Sequence, residues 1–435
     1  MKRLISCVLA LLYVMAGFAS GTWILHGKEY RVDTLYHAYI GPGTTQTSIK
    51  LAGPVNLRVF YTTTDLKNEN VDVRAIKHKD TLTGLGTVSN AAESHSTSNR
   101  SYFAGINADF FSSSMPCGIT VVDGEVYCSD QASGWSLFGI DANKIPYSGG
   151  GDFYVKLTAP DYSTAELSAM NLERETNGLV LYSSRKGANT GTDGNGSEVV
   201  LIPDGEGNFL TPGATVRMRV QGNPNHAGSM PIPDNGYILS GSGTKESFVS
   251  NLSEGDEVEV RCAIRFNGFT GGKIQQALGG CPMLVSGGKV LDTENALDHL
   301  TSAQPRTAVG YNTEKNKLVM LVADGRSSIS VGPISKVLAD IMIYAGCSEA
   351  MNFDGGGSST FYVKGEGVIN QPSDGSERSV TDGLYLSTDA PQNDVTITTI
   401  RFMDYAKTLN QGDAYTPVIY GYNQYGVLVL SLIHI

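Results

Sequence analysis

Lys317-Leu318-Val319-Met320-Leu321-Val322-Ala323-Asp324-Gly325-Arg326 and, further along, Ala350-Met351-Asn352-Phe353-Asp354-Gly355-Gly356-Gly357-Ser358-Ser359-Thr360-Phe361 decide how this chain is read. Each is an apolar run that ends in an aspartate and then glycine. Between them Ile334, Val337, Leu338, Ile341, Met342 and Ala345 recur at spacings that put one apolar stripe on a helix. Pro333 suits the first helical turn and Gly346 the stop. The pattern predicts a β-α-β crossover, whose strands run parallel and end on the same edge of a sheet. Asp324 and Asp354 are therefore expected to converge. Strand-helix-strand also describes Val71 to Ile76, Val88 to Ser98 and Tyr102 to Ile106, which places Asn107-Ala108-Asp109 just beyond a strand, where open sheets usually hold ligand groups. The expected class is α+β: a mixed sheet with β-α-β units and a β-rich insertion at about residues 165–270. A truncated immunoglobulin-like β segment is expected over residues 391–435.

The chain has 435 residues, which allows two or three domains of roughly 150 residues each. Charged residues make up 17% and glycines number 51, a balance that favours strands and turns over long charged helices. A formal net charge of −11 argues against a polyanion-binding surface, so nucleic acid is excluded as a partner. Met1-Lys2-Arg3, the apolar run Leu4 to Phe18 and the small residues Gly17, Ala19 and Ser20 read as a signal peptide over residues 1–20, cleaved near 19–20. A span needs about 20 apolar residues, so this run reads as an export signal and the mature protein as secreted, periplasmic or envelope-bound, not membrane-spanning. Cleavage removes Cys7 and leaves five cysteines. Cys117 and Cys128 flank a hairpin with an Asp123-Gly124 turn, which makes them a disulfide candidate or two buried thiols. No Cys-x-x-Cys pair occurs and the seven histidines are scattered, so a zinc site is not indicated.

Three consecutive glycines weaken a packed strand, and the return is an unusual backbone path or close approach to a ligand. The plainer reading is a hairpin turn. Paired carboxylates at neighbouring strand ends are what glycosidic cleavage requires, ~5–5.5 Å apart in retaining enzymes and ~6.5–9.5 Å in inverting ones. Asp324 and Asp354 on strands ~4.8 Å apart would permit either. Arg306, Arg326 and Arg378 lie in the same segments, and a planar guanidinium grips phosphate bidentately. The N–H groups of Gly355, Gly356, Gly357 and Ser358, with the hydroxyls of Ser358 and Ser359, have the makings of an anion nest. Together these point to a substrate carrying both a sugar and a phosphate.

Ile106-Asn107 through Phe110-Phe111, Pro305 to Gly310, Val322 to Arg326 and Asn352 to Thr360 resemble, in order, the motifs of the phosphodiester glycosidase family. The resemblance implies a catalytic region over residues 21–390 and a pocket of Asn107, Arg306, Asp324, Arg326, Asp354 and the Gly355 to Ser359 loop. It implies hydrolysis of a sugar-1-phosphodiester, N-acetylglucosamine-like, at the anomeric carbon, with Asp354 and Asp324 as the catalytic carboxylates. Many members have glycine where Asp109 stands, so this chain adds a carboxylate beside the pocket. Two rival readings stand: a non-catalytic glycan-binding envelope protein, and a phosphodiesterase cutting P–O with a divalent cation on Asp109, Asp324 and Asp354. No other cofactor is indicated. A serine hydrolase is disfavoured because no Gly-x-Ser-x-Gly elbow occurs.

Overall fold

A computed structural model describes residues 21–130, 134–205, 209–266, 272–292, 301–402 and 419–432, so the expected signal peptide lies outside the described residues. Of the described residues 47% are strand and 9% helix, which corrects the α+β expectation to a β-rich fold. The site is framed by two antiparallel sheets. The first has nine strands and carries, side by side, Asn56–Asp65, Lys317–Ala323, Arg306–Tyr311, Glu349–Asn352 and Met283–Ser286. The second has five, in the order Gly367–Val368, Phe361–Val363, Ser101–Asn107, Asp382–Thr388 and Asp72–Lys77.

Neither expected β-α-β unit forms a parallel pair. Lys317–Ala323 and Glu349–Asn352 do run in the same direction, but Arg306–Tyr311 lies between them and pairs antiparallel with both, Arg306 opposite Ala323 and Ala308 opposite Asn352. In the second sheet Asp382–Thr388 separates Asp72–Lys77 from Ser101–Asn107 in the same way. Asp382–Thr388 comes from distant sequence, whereas Arg306–Tyr311 directly precedes Lys317–Ala323 as its hairpin partner, so it is the return of Glu349–Asn352 to the far side of that hairpin that a local pattern does not carry. Among the described residues the only parallel pairing is Ala169–Met170 with Leu179–Tyr182.

The continuous apolar run at Lys317–Ala323 has a different cause from a parallel sheet: the strand is covered on both faces. On one face Val319, Leu321 and Ala323 pack with Val337, Leu338, Ile341 and Met342 of the helix Ser335–Tyr344. On the other, Leu318, Met320 and Val322 pack with Met351, Phe353, Ala104, Ile106, Leu384 and Leu386, which joins the two sheets. A short helix, Val88–Ser94, covers the outer face of the second sheet against Tyr102, Tyr362 and Tyr385. The layers run helix, sheet, sheet, helix, and each apolar face has a partner.

Between Gly151 and Phe266 the chain builds an eight-stranded sheet with its own core, which includes Leu157, Leu181, Val199, Leu239 and Val260. Toward the C-terminus, Thr399–Phe402, Ile419–Tyr422 and Leu428–Leu432 form a three-stranded sheet. Arg401 fastens it to the body: it pairs with half-buried Glu366 and stacks against Tyr36, Tyr420 and Tyr422. Cys117 and Cys128 are free thiols, the second of the two expected arrangements, with Cys128 buried and Cys117 half-buried: the hairpin sets Cys128 opposite Thr120 and leaves Cys117 beyond the paired residues.

Phe353 is fully buried between the sheets and meets Phe138 edge-on at 6.4 Å between ring centroids. Phe353→Ala should cost about 3–5 kcal/mol by cavity formation. Urea unfolding measures it; a loss below about 1 kcal/mol would mean that the sheets do not close on this ring.

Candidate active site

The loop after Glu349–Asn352 is held from below by backbone and amide bonds. Asp354 N–H donates to the Ala108 carbonyl at 2.8 Å and Phe353 N–H to the Thr307 carbonyl at 2.8 Å. Asn107, fully buried, makes three contacts at once. Its Nδ2 donates to the Asp354 carbonyl at 2.7 Å, while its Oδ1 accepts the Thr307 hydroxyl at 2.8 Å and the Thr360 N–H at 3.1 Å. One side chain thus fixes where the Asp354 loop leaves and rejoins the sheets.

The glycines are sites of close approach. A Cβ at Gly355 would stand 2.7 Å from the Pro305 carbonyl oxygen, and one at Gly356 3.0 Å from Arg326 Nη2. At Gly357 it would meet Arg378 Nη2 at 2.1 Å and Asp374 Oδ2 at 2.3 Å. Gly356 also has φ +61°, in the left-handed region. The loop is therefore glycine because the Pro305 carbonyl lies on Gly355 and guanidinium groups lie on Gly356 and Gly357. Of the N–H groups expected to form an anion nest, that of Gly356 donates to the Pro305 carbonyl at 2.9 Å and that of Ser358 to the Gly355 carbonyl at 3.2 Å.

Asp354 lies between positive and negative neighbours. Burial pushes its carboxyl up to about 6 and the charge of Asp382 adds to the rise, against the Ser358 hydroxyl, Arg378 and the Gly355 amide. Arg306 is 2% exposed, donates through Nη2 to the Ser302 carbonyl at 2.5 Å, and has no partner for Nε. Burial lowers its guanidinium to about 10; Asp354 opposes that fall and Arg326 adds to it. Arg326 is exposed, with φ +58°, and its Nε donates to Gln304 Oε1 at 2.7 Å. A left-handed non-glycine residue costs roughly 1–3 kcal/mol and is commonest where function demands it. Arg378 is exposed, pairs with Asp374 at 2.7 Å and reaches Ser358 Oγ at 3.4 Å. The Ser359 hydroxyl turns away from the loop to accept from Thr307 at 3.2 Å.

Asp324 stands apart from this group. The intervening strand doubles the expected backbone separation from Asp354 to roughly 10 Å. Its Oδ1 accepts the Gln371 N–H at 2.9 Å and Asn370 Nδ2 at 3.4 Å, and the positive charge that acts on it is Arg58. Asp324 thus anchors the segment at 370–371. Asp109 is 1% exposed, behind Asp354, and lies against Gly118 and Gly279. Among the described residues no three His, Cys, Asp or Glu side chains gather as a cation's ligands would. Asp382, Lys77, Thr307 and Gln304 escaped the sequence reading; Asp382 opens a strand in Thr381-Asp382-Gly383, and only its pairing with Ser101–Asn107 reveals its place.

The arrangement joins one carboxylate of raised proton affinity to a half-satisfied buried guanidinium and two exposed ones. Such a site holds an anion beside a nucleophile or base. An 88-residue stretch, 20% of this chain, is 40% identical to the SPbeta prophage-derived protein YomE of Bacillus subtilis and spans 13% of that relative's length. A hypothetical protein from Synechocystis superposes with a TM-score of 0.61 at 16% identity, over 80% of this chain and 62% of its own. A Burkholderia pseudomallei protein, named for its expected export, gives 0.61 at 18% identity, over 85% of this chain and 99% of its own. These two likenesses are of fold. Residues 212–387 match the sequence model of the phosphodiester glycosidase family, a span that contains Arg306, Asp324, Arg326, Asp354 and Arg378. The resemblance read from the motifs is thereby borne out over residues 212–387, the span that matches the phosphodiester glycosidase family.

Proposed function

We propose that this protein hydrolyses a sugar-1-phosphodiester, N-acetylglucosamine-like, at the anomeric carbon, and that it works outside the cytoplasm after loss of residues 1–20. The observation that carries the reading is Arg306: a buried guanidinium with an unpartnered Nε beside Asp354, in a domain of this family. A buried donor without a partner is costly, and a phosphate oxygen would satisfy it.

In this reading Asp354 acts at the sugar carbon, as nucleophile or as base to water. The bond from the anomeric carbon to the phosphate oxygen breaks, the phosphate monoester leaves with the bonding pair, and the oxygen of water ends on the sugar. A phosphate monoester is a competent leaving group, so Arg306 and Arg326 stabilising its charge replace much of what a general acid supplies in other glycosidases. Asp324 supports the site by anchoring the segment at 370–371. Since Asp354 must be ionised, activity should fall as pH drops through about 6.

Asp354→Asn should lower sugar release by roughly 10²–10⁴-fold or more while the protein stays folded; full activity would remove Asp354 from the mechanism. Cleavage of an N-acetylglucosamine phosphodiester in oxygen-18 water should put the label in the sugar. Label in the phosphate would identify a phosphodiesterase instead.

The same variant carries a stability prediction. The Asp354 carboxyl sits at about 6 in the folded protein, against ~3.9 in an unfolded chain. The folded state therefore holds this proton more tightly, and the stability it contributes at low pH is lost as pH rises through about 6. At neutral pH Asp354→Asn should melt higher than the parent, with the gap closing towards pH ~4. A gap of the same size at both pH values would mean that the carboxyl is not raised.

A further inference from the structure

The turn that follows Arg326 holds aliphatic side chains out in water beside the candidate anion site. Ile329 is 53% exposed, Val331 37% and, on the neighbouring hairpin, Val55 39%. Exposed aliphatic residues scattered singly are ordinary, but these three share one corner. Val331 N–H donates to the Asn56 carbonyl at 3.1 Å, which seats the turn against the reversal that joins Thr44–Ala52 to Asn56–Asp65 through Val55. Arg326, whose guanidinium lies beside Gly356, starts the same turn. Three residues of chain span at most about 11 Å, so Ile329 stays close to whatever Arg326 holds.

The exposure is not the slack of a loose loop. Arg326 N–H donates to the Val331 carbonyl at 3.3 Å and Ser327 N–H to the Ser330 carbonyl at 3.0 Å. The Ser327 hydroxyl accepts the Ser330 N–H at 3.1 Å and donates to the Ser330 carbonyl at 3.2 Å. Ser330 is fully buried; its hydroxyl donates to the Asp324 carbonyl at 2.7 Å and accepts the Arg58 N–H at 3.0 Å. A Cβ at Gly332 would collide with the carbonyl of Gln304, so the turn closes directly against the residue that anchors Arg326. The polar groups of Ser327 and Ser330 are spent on the turn itself, and what the corner adds to the site is aliphatic surface.

A cation with aliphatic surface beside it suits an amphiphile, a charged head with an alkyl chain. We propose that the phosphodiester taken by this site carries an alkyl chain as its second ester group, with the phosphate at Arg306 and Arg326 and the chain along Ile329, Val331 and Val55. That assignment rests on the site being one for a sugar phosphodiester, and it makes the leaving group an alkyl phosphate. The chain touches the same surface before and after the anomeric bond breaks, so its contact lowers KM and leaves kcat little changed. The formal net charge of −11 opposes the other occupant of such a corner, an anionic membrane surface.

Calorimetry on the intact protein compares octyl phosphate, below its micelle concentration, with methyl phosphate. Each buried methylene multiplies affinity by roughly fourfold, so octyl phosphate should bind at least about tenfold tighter. Ile329→Ser should cut that ratio by about threefold or more. Ile24→Ser should leave it unchanged: Ile24 is 52% exposed too, but its N–H bonds the Tyr344 hydroxyl at the far end of the helix Ser335–Tyr344, about 15 Å along the axis. Equal affinity for the two phosphates, or equal losses in the two variants, would overturn the proposal. So would sedimentation with phosphatidylcholine vesicles alongside equal affinity for the two phosphates, which would make the corner a membrane-docking surface. Turnover reads the glycosidase separately. A parent that prefers octyl phosphate yet releases no sugar loses the glycosidase reading and keeps the apolar subsite; equal kcat/KM on the octyl and methyl diesters of N-acetylglucosamine 1-phosphate would do the reverse.

Discussion

Asn107 ties three parts of the molecule together, and the geometry of the Asp354 loop depends on that tie. It closes a strand of the five-stranded sheet, while Thr307 belongs to the nine-stranded sheet and Asp354 and Thr360 bound the loop that passes from one sheet to the other. Two of the three bonds are buried and the third partly so, and since an unmet buried polar group costs about 1–3 kcal/mol, no alternative placement of the loop is cheap. The apolar contacts of Phe353 and Phe361 hold the sheets together without specifying register. The amide supplies the register.

Once the loop is placed, electrostatics decides the composition around it. Arg306, Arg326 and Arg378 all approach the Asp354 loop, and glycine is what admits Arg326 at Gly356 and Arg378 at Gly357. Each cation has a different anchor: a carbonyl for Arg306, Gln304 for Arg326, and Asp374 for Arg378. Anchoring by neutral groups leaves the charge of Arg306 and Arg326 available, whereas Asp374 neutralises Arg378. The two rôles divide accordingly: Arg306 and Arg326 keep charge available for an anion, and the Arg378–Asp374 pair roofs Gly357 and reaches Ser358.

Part of this was legible in the sequence and part was not, for physical reasons. The helix at Ser335–Tyr344 and the strands on either side were readable because an apolar stripe and apolar runs are local signals. Their common direction was readable too, since a strand that returns through a helix of this length runs the way it started. What the strand-helix-strand pattern cannot contain is that the preceding strand, Arg306–Tyr311, ends up between them, or that Asp382–Thr388 enters the other sheet. Both insertions bear on the site: the first moves Asp324 away from Asp354, and the second brings Asp382 behind it. The glycine triplet signalled close approach, but what approaches is arginine on one side and the Pro305 carbonyl on the other, which only the packed loop reveals.

The same logic explains why the site is built at a cost to the fold. Asp354 is held where burial disfavours its ionised form, Arg306 where burial disfavours its charge, and Arg326 in a left-handed backbone. Each lowers stability, and in the proposed reading the two arginines become favourable when an anion arrives: a phosphate would give Arg306 Nε an acceptor and Arg326 a counter-charge. Burial that penalises a charge in the free protein also strengthens its attraction to a bound opposite charge, because both effects scale with the loss of water. A site prepared in this way responds to the charge of its ligand before its shape, so recognition of the phosphate would precede and orient the sugar.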